Sequence, residues 1–292
     1  MPISEGDITE EGFLGTIAGH IATNGTAKPS TSALVAGSDG TSILPLLTDN
    51  QGRLVTSAIT GYNANFSFGD VSTAALTQVV VRRTAYTEQT TNAQRSIASA
   101  SANDTSAGTG ARTLMITYFD STGAGPFTET LTLNGTTGVN TVATNICFIE
   151  KITVVTVGSG LVNAGIITLY VAINKGGGVI GTIAALDNQT FWCHHYVATG
   201  KTCNVTGISN NHNGTTVGSG GVFILKAKSI GVSNVPELQV SDFIRLYGQD
   251  SVNTRNYGSP LKIIGPARLF TYITPETTSA TIYRAAFDFF EP

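Results

Sequence analysis

The chain has 292 residues, of which only 12% are charged, and a formal net charge of -3. An ordinary soluble protein carries about a quarter charged residues. Groups for acid–base chemistry are therefore scarce, and there is no Lys/Arg surplus to neutralise phosphate, which argues against both an enzyme and a nucleic-acid binder.

From Met1 to about residue 75 the composition is that of an arm: Gly, Thr, Ser, Ala and Asn, with brief apolar touches such as Phe13-Leu14 and Ile17. Asp39-Gly40 and Asp49-Asn50-Gln51-Gly52 are turn signals. Between them lies Ile43-Leu44-Pro45-Leu46-Leu47. Pro45 has no backbone N–H, so this run suits an edge strand or an extended tether. Two readings follow: an extended arm whose anchors Ile43, Leu44, Leu46 and Leu47 lie along a neighbouring subunit, or a flexible tail with one hairpin.

From Leu76 onward the pattern predicts strands. Leu76 to Arg83 is Val-rich, and Asn92 to Gly110 reads as a Ser/Ala/Thr/Gly loop. Thr113 to Phe119 and Phe127 to Leu133 alternate on either side of the turn Asp120-Ser-Thr-Gly-Ala-Gly-Pro126, the signature of a β-hairpin. Further strands are predicted at Phe148 to Val157, Ile166 to Ile173, Val179 to Ala184, Val222 to Ile230, Phe243 to Tyr247, Leu261 to Ile264, Arg268 to Ile273 and Thr281 to Phe290. The last of these places Tyr283, Ala285, Phe287 and Phe289 on one face. No window keeps a helical period. The expected fold is mainly β: an antiparallel β-sandwich or jelly roll over residues 76–292, preceded by an extended N-terminal anchoring arm over 1–75. Abundant Thr suits a pleated surface and leaves an uncharged exterior that meets a partner with little desolvation of ions.

The candidate chemistry is thin. Cys193-His194-His195, with Cys203 and His212 downstream, offers zinc-type donors. On a strand Cys193 and His195 share a face and His194 does not, and Cys203 closes from a neighbouring strand. The spacing matches no familiar structural site, however, for Cys-x-x-Cys is absent. The preferred reading is buried cysteines beside Trp192 and Tyr196, with no metal and no cofactor; a Cys193–Cys203 disulfide is a further alternative. A Ser/His/Asp187 triad lacks a Gly-x-Ser-x-Gly elbow. Asp104, Asp120, Glu129 and Glu150 read as loop caps or surface charges rather than paired catalytic carboxylates. Arg82-Arg83 reads as a pair of strand-edge charges. Arg284 and Asp288 are expected to pair with each other, with Arg268, or across a subunit boundary. No run reaches the ~18 apolar residues of a membrane span. The start Met1-Pro2-Ile3-Ser4-Glu5-Gly6-Asp7 is followed by no apolar h-region, so a signal peptide is not expected.

Three stretches carry a resemblance. They are Ala36-Gly-Ser-Asp-Gly-Thr-Ser-Ile-Leu-Pro-Leu-Leu-Thr-Asp-Asn-Gln-Gly-Arg-Leu-Val55, then Thr132-Leu-Asn-Gly-Thr-Thr-Gly-Val-Asn-Thr-Val-Ala-Thr-Asn-Ile146 running into Ile149-Glu-Lys-Ile-Thr-Val154, and Ile264-Gly-Pro-Ala-Arg-Leu-Phe-Thr-Tyr-Ile273. They resemble virion structural proteins of tailed bacteriophages, a group that includes head decoration proteins, head fibres and tail appendages. The resemblance implies a β-sandwich subunit made in the host cytoplasm, forming a homotrimer and mounted on the outside of the virion by its arm. Its partners would be itself and capsid or other virion proteins, with neither nucleic acid nor membrane. It brings no catalytic motif. The competing expectation is a tail or baseplate component that binds host glycan through Trp192, Tyr196, Tyr257 or Tyr272; a polysaccharide hydrolase comes last.

Overall fold

The computed structural model describes residues 36–38, 43–45, 64–73, 76–213, 220–230, 236–241, 243–247, 251–276 and 281–292. The chain divides into two units, Met1–Gly61 and Tyr62–Pro292. In the first, β1 (Ala36–Ser38) and β2 (Ile43–Pro45) pair antiparallel, Ala36 opposite Pro45 and Ser38 opposite Ile43. Of the arm residues singled out above, Ile43 and Leu44 lie on β2; Leu46 and Leu47 lie outside the described residues.

The second unit is built from antiparallel strands. In chain order they are β3 (Ala64–Thr73), β4 (Val79–Val80), β5 (Ser96–Ser99), β6 (Ala111–Phe119), β7 (Phe127–Thr132), β8 (Val139–Asn140), β9 (Phe148–Val157), β10 (Ile167–Tyr170), β11 (Val179–Ile183), β12 (His194–Val197), β13 (Thr202–Asn213), β14 (Gly220–Ser229), β15 (Leu238–Gln239), β16 (Ile244–Tyr247), β17 (Ser251–Ile264), β18 (Ala267–Pro275) and β19 (Thr281–Phe290). A 3-10 turn at Ile173–Lys175 is the sole helical element among the described residues, and none of their helices is long and apolar enough to cross a membrane.

Two pairs of sheets each share a core. In one pair, the sheet β17-β13-β19-β3 faces β12-β18-β14, to which β15, β16 and β4 add. Strand alternation on β19 turns Tyr283, Ala285, Phe287 and Phe289 inward. They meet Phe223 and Leu225 of β14 and Leu269 and Ile273 of β18 in one buried cluster. The other pair, β11-β10-β5-β8 and β7-β6-β9, comes from the continuous stretch between β4 and β12. Its core joins Leu114, Ile116, Ile149 and Ile152 to Ile97, Ile167, Leu169 and Ile183. A third cluster, with Phe119, Phe148, Tyr196 and Phe270, draws on strands of both pairs and forms an aromatic seam between them. The expected single sandwich over 76–292 is thus two sandwiches, the second inserted into the first.

The folded unit also begins earlier than residue 76. β3 pairs along its length with β19, Ala64 opposite Phe290 and Thr73 opposite Thr281. Its composition hides this, because the buried positions are Ser67 and Gly69, too small to register as a hydrophobic stripe. A Cβ on Gly69 would lie 2.5 Å from the Cys193 backbone nitrogen and 2.8 Å from the Val81 carbonyl, so only glycine allows this strand to close over its neighbours.

The loop expected over 92–110 contains β5, whose four residues are all buried. Serine survives there because its hydroxyls are satisfied: Ser96 donates to the Ala172 carbonyl and Ser99 to Asp104. Leu76 to Arg83 supplies only the two-residue β4 and an isolated bridge from Arg82 to Trp192.

Buried ions hold this second sandwich together. The Asp104 carboxylate is fully buried. It accepts the Ser99 hydroxyl at 2.5 Å and the backbone N–H groups of Ala111, Ala164 and Gly165 at 2.7, 2.8 and 2.9 Å. Arg95, 1% exposed, donates to the Ile146, Thr91 and Val171 carbonyls. Glu129 accepts the N–H groups of Val142 and Ala143, and Asp120 those of Thr122 and Ala124. These acids are therefore loop caps, as expected.

Candidate functional site: a histidine pair at the aromatic seam

β12 runs His194-His195-Tyr196-Val197, and the strand sends adjacent side chains to opposite faces. The two histidines meet opposite electrostatics. His194 Nε2 lies 2.8 Å from the Glu150 carbonyl and 3.1 Å from that of Ile149, so it carries the proton. Nδ1 lies 3.2 Å from Arg82 Nη2 and accepts. Burial and the neighbouring Arg82 charge hold the His194 pKa well below the ordinary imidazole value, and this ring is neutral. It packs among Tyr86, Trp192, Tyr196 and Phe270, with ring centroids 5.3 to 5.6 Å away.

His195 faces two carboxylates. Nδ1 is 2.9 Å from Glu150 Oε1, and Nε2 is 2.9 Å from Glu291 Oε1. Burial pushes its pKa down, but Glu150 and then Glu291 outweigh that and raise it to about 9, so the ring is an imidazolium at neutral pH. The second Glu150 oxygen accepts the Tyr196 N–H at 2.9 Å. Glu150 stands on β9, His195 on β12 and Glu291 just after β19. The cluster therefore ties the inserted sandwich to both sheets of the outer one. It opens onto a cleft of about 420 Å³ that Phe66, Phe68, Lys151 and Gln189 also line.

Arg82 and Arg83 part company. Arg83 is the expected edge charge, 2.9 Å from Asp70 and 2.7 Å from Asp187; that contact occupies the Asp187 named in the triad. Arg82 instead turns inward, its guanidinium 4.7 Å from the centroid of Tyr86 and 4.6 Å from that of Phe270, and burial lowers its pKa. Arg284 reaches Asn211 at 3.3 Å, and Arg268 pairs with Glu88 and Glu237.

The candidate zinc donors are not brought together as expected. All three cysteines are free and buried, so no Cys193–Cys203 disulfide forms. Cys193 Sγ lies 3.2 Å from Thr271 Oγ1, away from the carboxylates around His195. His195 and Cys203 do come together, and Glu291 replaces Cys193: one nitrogen, one sulfur and one carboxylate oxygen lie within 4.8 Å of one another. Sequence reasoning missed Glu291, yet the signal was there. The inward series Tyr283, Ala285, Phe287, Phe289 continued by one step lands on Glu291. His212 is buried and stacks on Tyr283, centroids 6.0 Å apart. Tyr196 is buried in the seam and Trp192 in the core of the inserted sandwich, so neither presents an open ring face to a glycan. Tyr272, half-buried, donates its hydroxyl to Glu237.

No family model matches the chain, and no curated protein matches it. Among solved structures it is similar to one from the Gx strain of infectious bursal disease virus, at 8% identity and a TM-score of 0.23, over 78% of this chain and 72% of that one. It is also similar to a chain of the T13 particle of the same virus, at 9% identity and a TM-score of 0.15, over 79% and 77% of the two chains. At such TM-scores these likenesses carry no argument about function.

Proposed function

We propose that this chain is a structural subunit of a virus particle. In this reading it is a homotrimeric cement or decoration protein, or a short head fibre, on the exterior of a tailed phage, held to capsid proteins by its N-terminal arm. The observation that carries the reading is how the few ionisable groups are used. Asp104, Arg95, Asp120 and Glu129 bind backbone groups, and Glu150 spends one oxygen on the Tyr196 N–H. These charges hold sheets and loops together, and on the outside of the described residues Thr, Asn, Ser and Gly alternate with exposed apolar side chains such as Phe66, Val142 and Leu161. Such a surface suits repeated neutral contacts between subunits, each stabilised by apolar area at about 25 cal/mol per Å² before the costs of association. The sequence resemblance to phage virion proteins supports the same reading. Within it the chain transforms no substrate.

The arm gives the test. Leu46→Asp with Leu47→Asp should abolish incorporation into particles while the purified variant keeps the β circular-dichroism spectrum and melting temperature of the parent. Particles that still carry a full complement of the double variant would defeat the anchoring claim.

A further inference from the structure

We propose that His195, Cys203 and Glu291 form a binding site for a zinc-type divalent cation, with Glu150 as the carboxylate that orients His195. The inference does not depend on the structural role proposed above.

Four observations converge. First, the donor atoms lie within 4.8 Å of one another. In a tetrahedral zinc site, bonds of about 2.0–2.3 Å place neighbouring ligand atoms roughly 3.5 Å apart, so small side-chain rotations close the set. Second, the donors are the nitrogen, sulfur and oxygen types that zinc selects. They stand on β12, on β13 and one residue beyond β19, three strands joined through packed sheets. Third, the outer contacts are in place. Metal-ligating histidines almost always donate their second ring N–H to a carboxylate or carbonyl. Here Nδ1 lies 2.9 Å from Glu150, which is itself fixed by the Tyr196 N–H. That arrangement directs Nε2 toward Glu291 and the Cys203 side. Fourth, the surroundings are dry on one side and open on the other. Cys203 is fully buried and Phe289 stacks on His195 at 4.0 Å, while His195 and Glu291 line the cleft. Three protein ligands with a fourth position facing a cleft leave room for a water molecule or a second ligand.

Binding balances simply. The cation takes the place of the proton on His195 Nε2 and of the Cys203 thiol proton, and two protons leave to solvent while the Glu291 carboxylate ligates as it stands. No oxidant or reductant is involved. The site differs from the trio that strand spacing suggested, since Cys193 is engaged with Thr271.

The test uses the full chain, reduced, stripped with a chelator and titrated with Co²⁺ as the probe, followed by Zn²⁺. The expected result is one equivalent of tightly bound cobalt, with a thiolate-to-cobalt charge-transfer band that Zn²⁺ abolishes on displacement. Cys203→Ser should remove the band, Cys193→Ser should keep it, and Glu150→Gln should weaken affinity by about 10–100-fold. Should Cys203→Ser fail to fold by circular dichroism, Glu291→Gln carries the same test through a loss of at least tenfold in affinity. The proposal is overturned if the parent chain binds no cobalt saturably, if the band survives Cys203→Ser, or if Cys193→Ser abolishes it.

Discussion

Asp104→Asn isolates the claim that charge here is spent on the backbone. Oδ1 of Asp104 accepts the N–H groups of Ala111 and Ala164, and Oδ2 accepts the Gly165 N–H and the Ser99 hydroxyl. An amide keeps one oxygen. Its best orientation leaves that oxygen on Ala111 and Ala164 and turns Nδ2 toward Gly165 and Ser99. The serine hydroxyl can rotate to accept, but the Gly165 N–H then faces another donor. A buried donor left without an acceptor costs about 1–3 kcal/mol, and each hydrogen bond to a charged acceptor loses roughly 0.5–1.5 kcal/mol when the acceptor becomes neutral. Set against the easier burial of a neutral group, the net expectation is a loss of about 3 kcal/mol. Urea unfolding reads this as a lower midpoint at unchanged slope. The exposed Asp288→Asn serves as control and should stay within about 0.5 kcal/mol of the parent. A loss at Asp104 below about 1 kcal/mol would refute the reasoning.

Three further outcomes follow from the geometry. Arg95→Met takes the guanidinium from the Thr91 and Val171 carbonyls and leaves that of Ile146 with the Ala93 N–H, and should cost about 3–5 kcal/mol by urea unfolding; a cost under about 1 kcal/mol would mean the freed carbonyls find water. The His195 pKa is raised on folding, from an ordinary value of about 6.5 to about 9, so its contribution is fully present below pH ~6.5 and is lost as pH rises through about 9. With chelator present, the stability gap between the parent and His195→Gln should therefore shrink by about 3 kcal/mol from pH 6 to pH 10, and a gap that stays constant would remove the imidazolium from the account. A Cβ on Gly181 would lie 2.5 Å from the Trp192 ring, so Gly181→Val should cost at least about 1–3 kcal/mol through overpacking and alter Trp192 fluorescence; an unchanged spectrum and midpoint would contradict the packing described.

What the sequence disclosed depended on which strands carry an apolar rhythm. β19 matches its expected ends because its buried face carries Tyr283, Ala285, Phe287 and Phe289 at every second position; β9 also matches its expected ends, and β6 and β7 form the expected hairpin, although their burial does not alternate strictly. β13 escaped notice, and of β17 only Leu261 to Ile264 was expected, for opposite reasons. β13 follows inward Cys203, Val205 and Ile208 with buried Asn210 and His212, which breaks the apolar alternation. β17 is an edge strand whose side chains are mostly exposed, with Val252 at 65% and Ile264 at 74%. The insertion of one sandwich into the other is a matter of which sheets face each other, and no local period encodes it. At the candidate site, His195 and Cys203 were legible as donor types. Glu291 required following β19 past its last aromatic residue. The inward turn of Arg82, next to an outward Arg83, is set by the aromatic box that Tyr86 and Phe270 close around it, and Phe270 is distant in sequence.

The most direct measurement of the structural-subunit account is immunogold labelling of intact, purified particles with antibody against the 62–292 unit. The account predicts gold distributed over the outer shell, at a density in keeping with a repeated subunit and lost with the Leu46→Asp, Leu47→Asp double variant. Gold confined to the tail would contradict the capsid assignment, and antigen found only in soluble fractions, never on particles, would contradict the account as a whole.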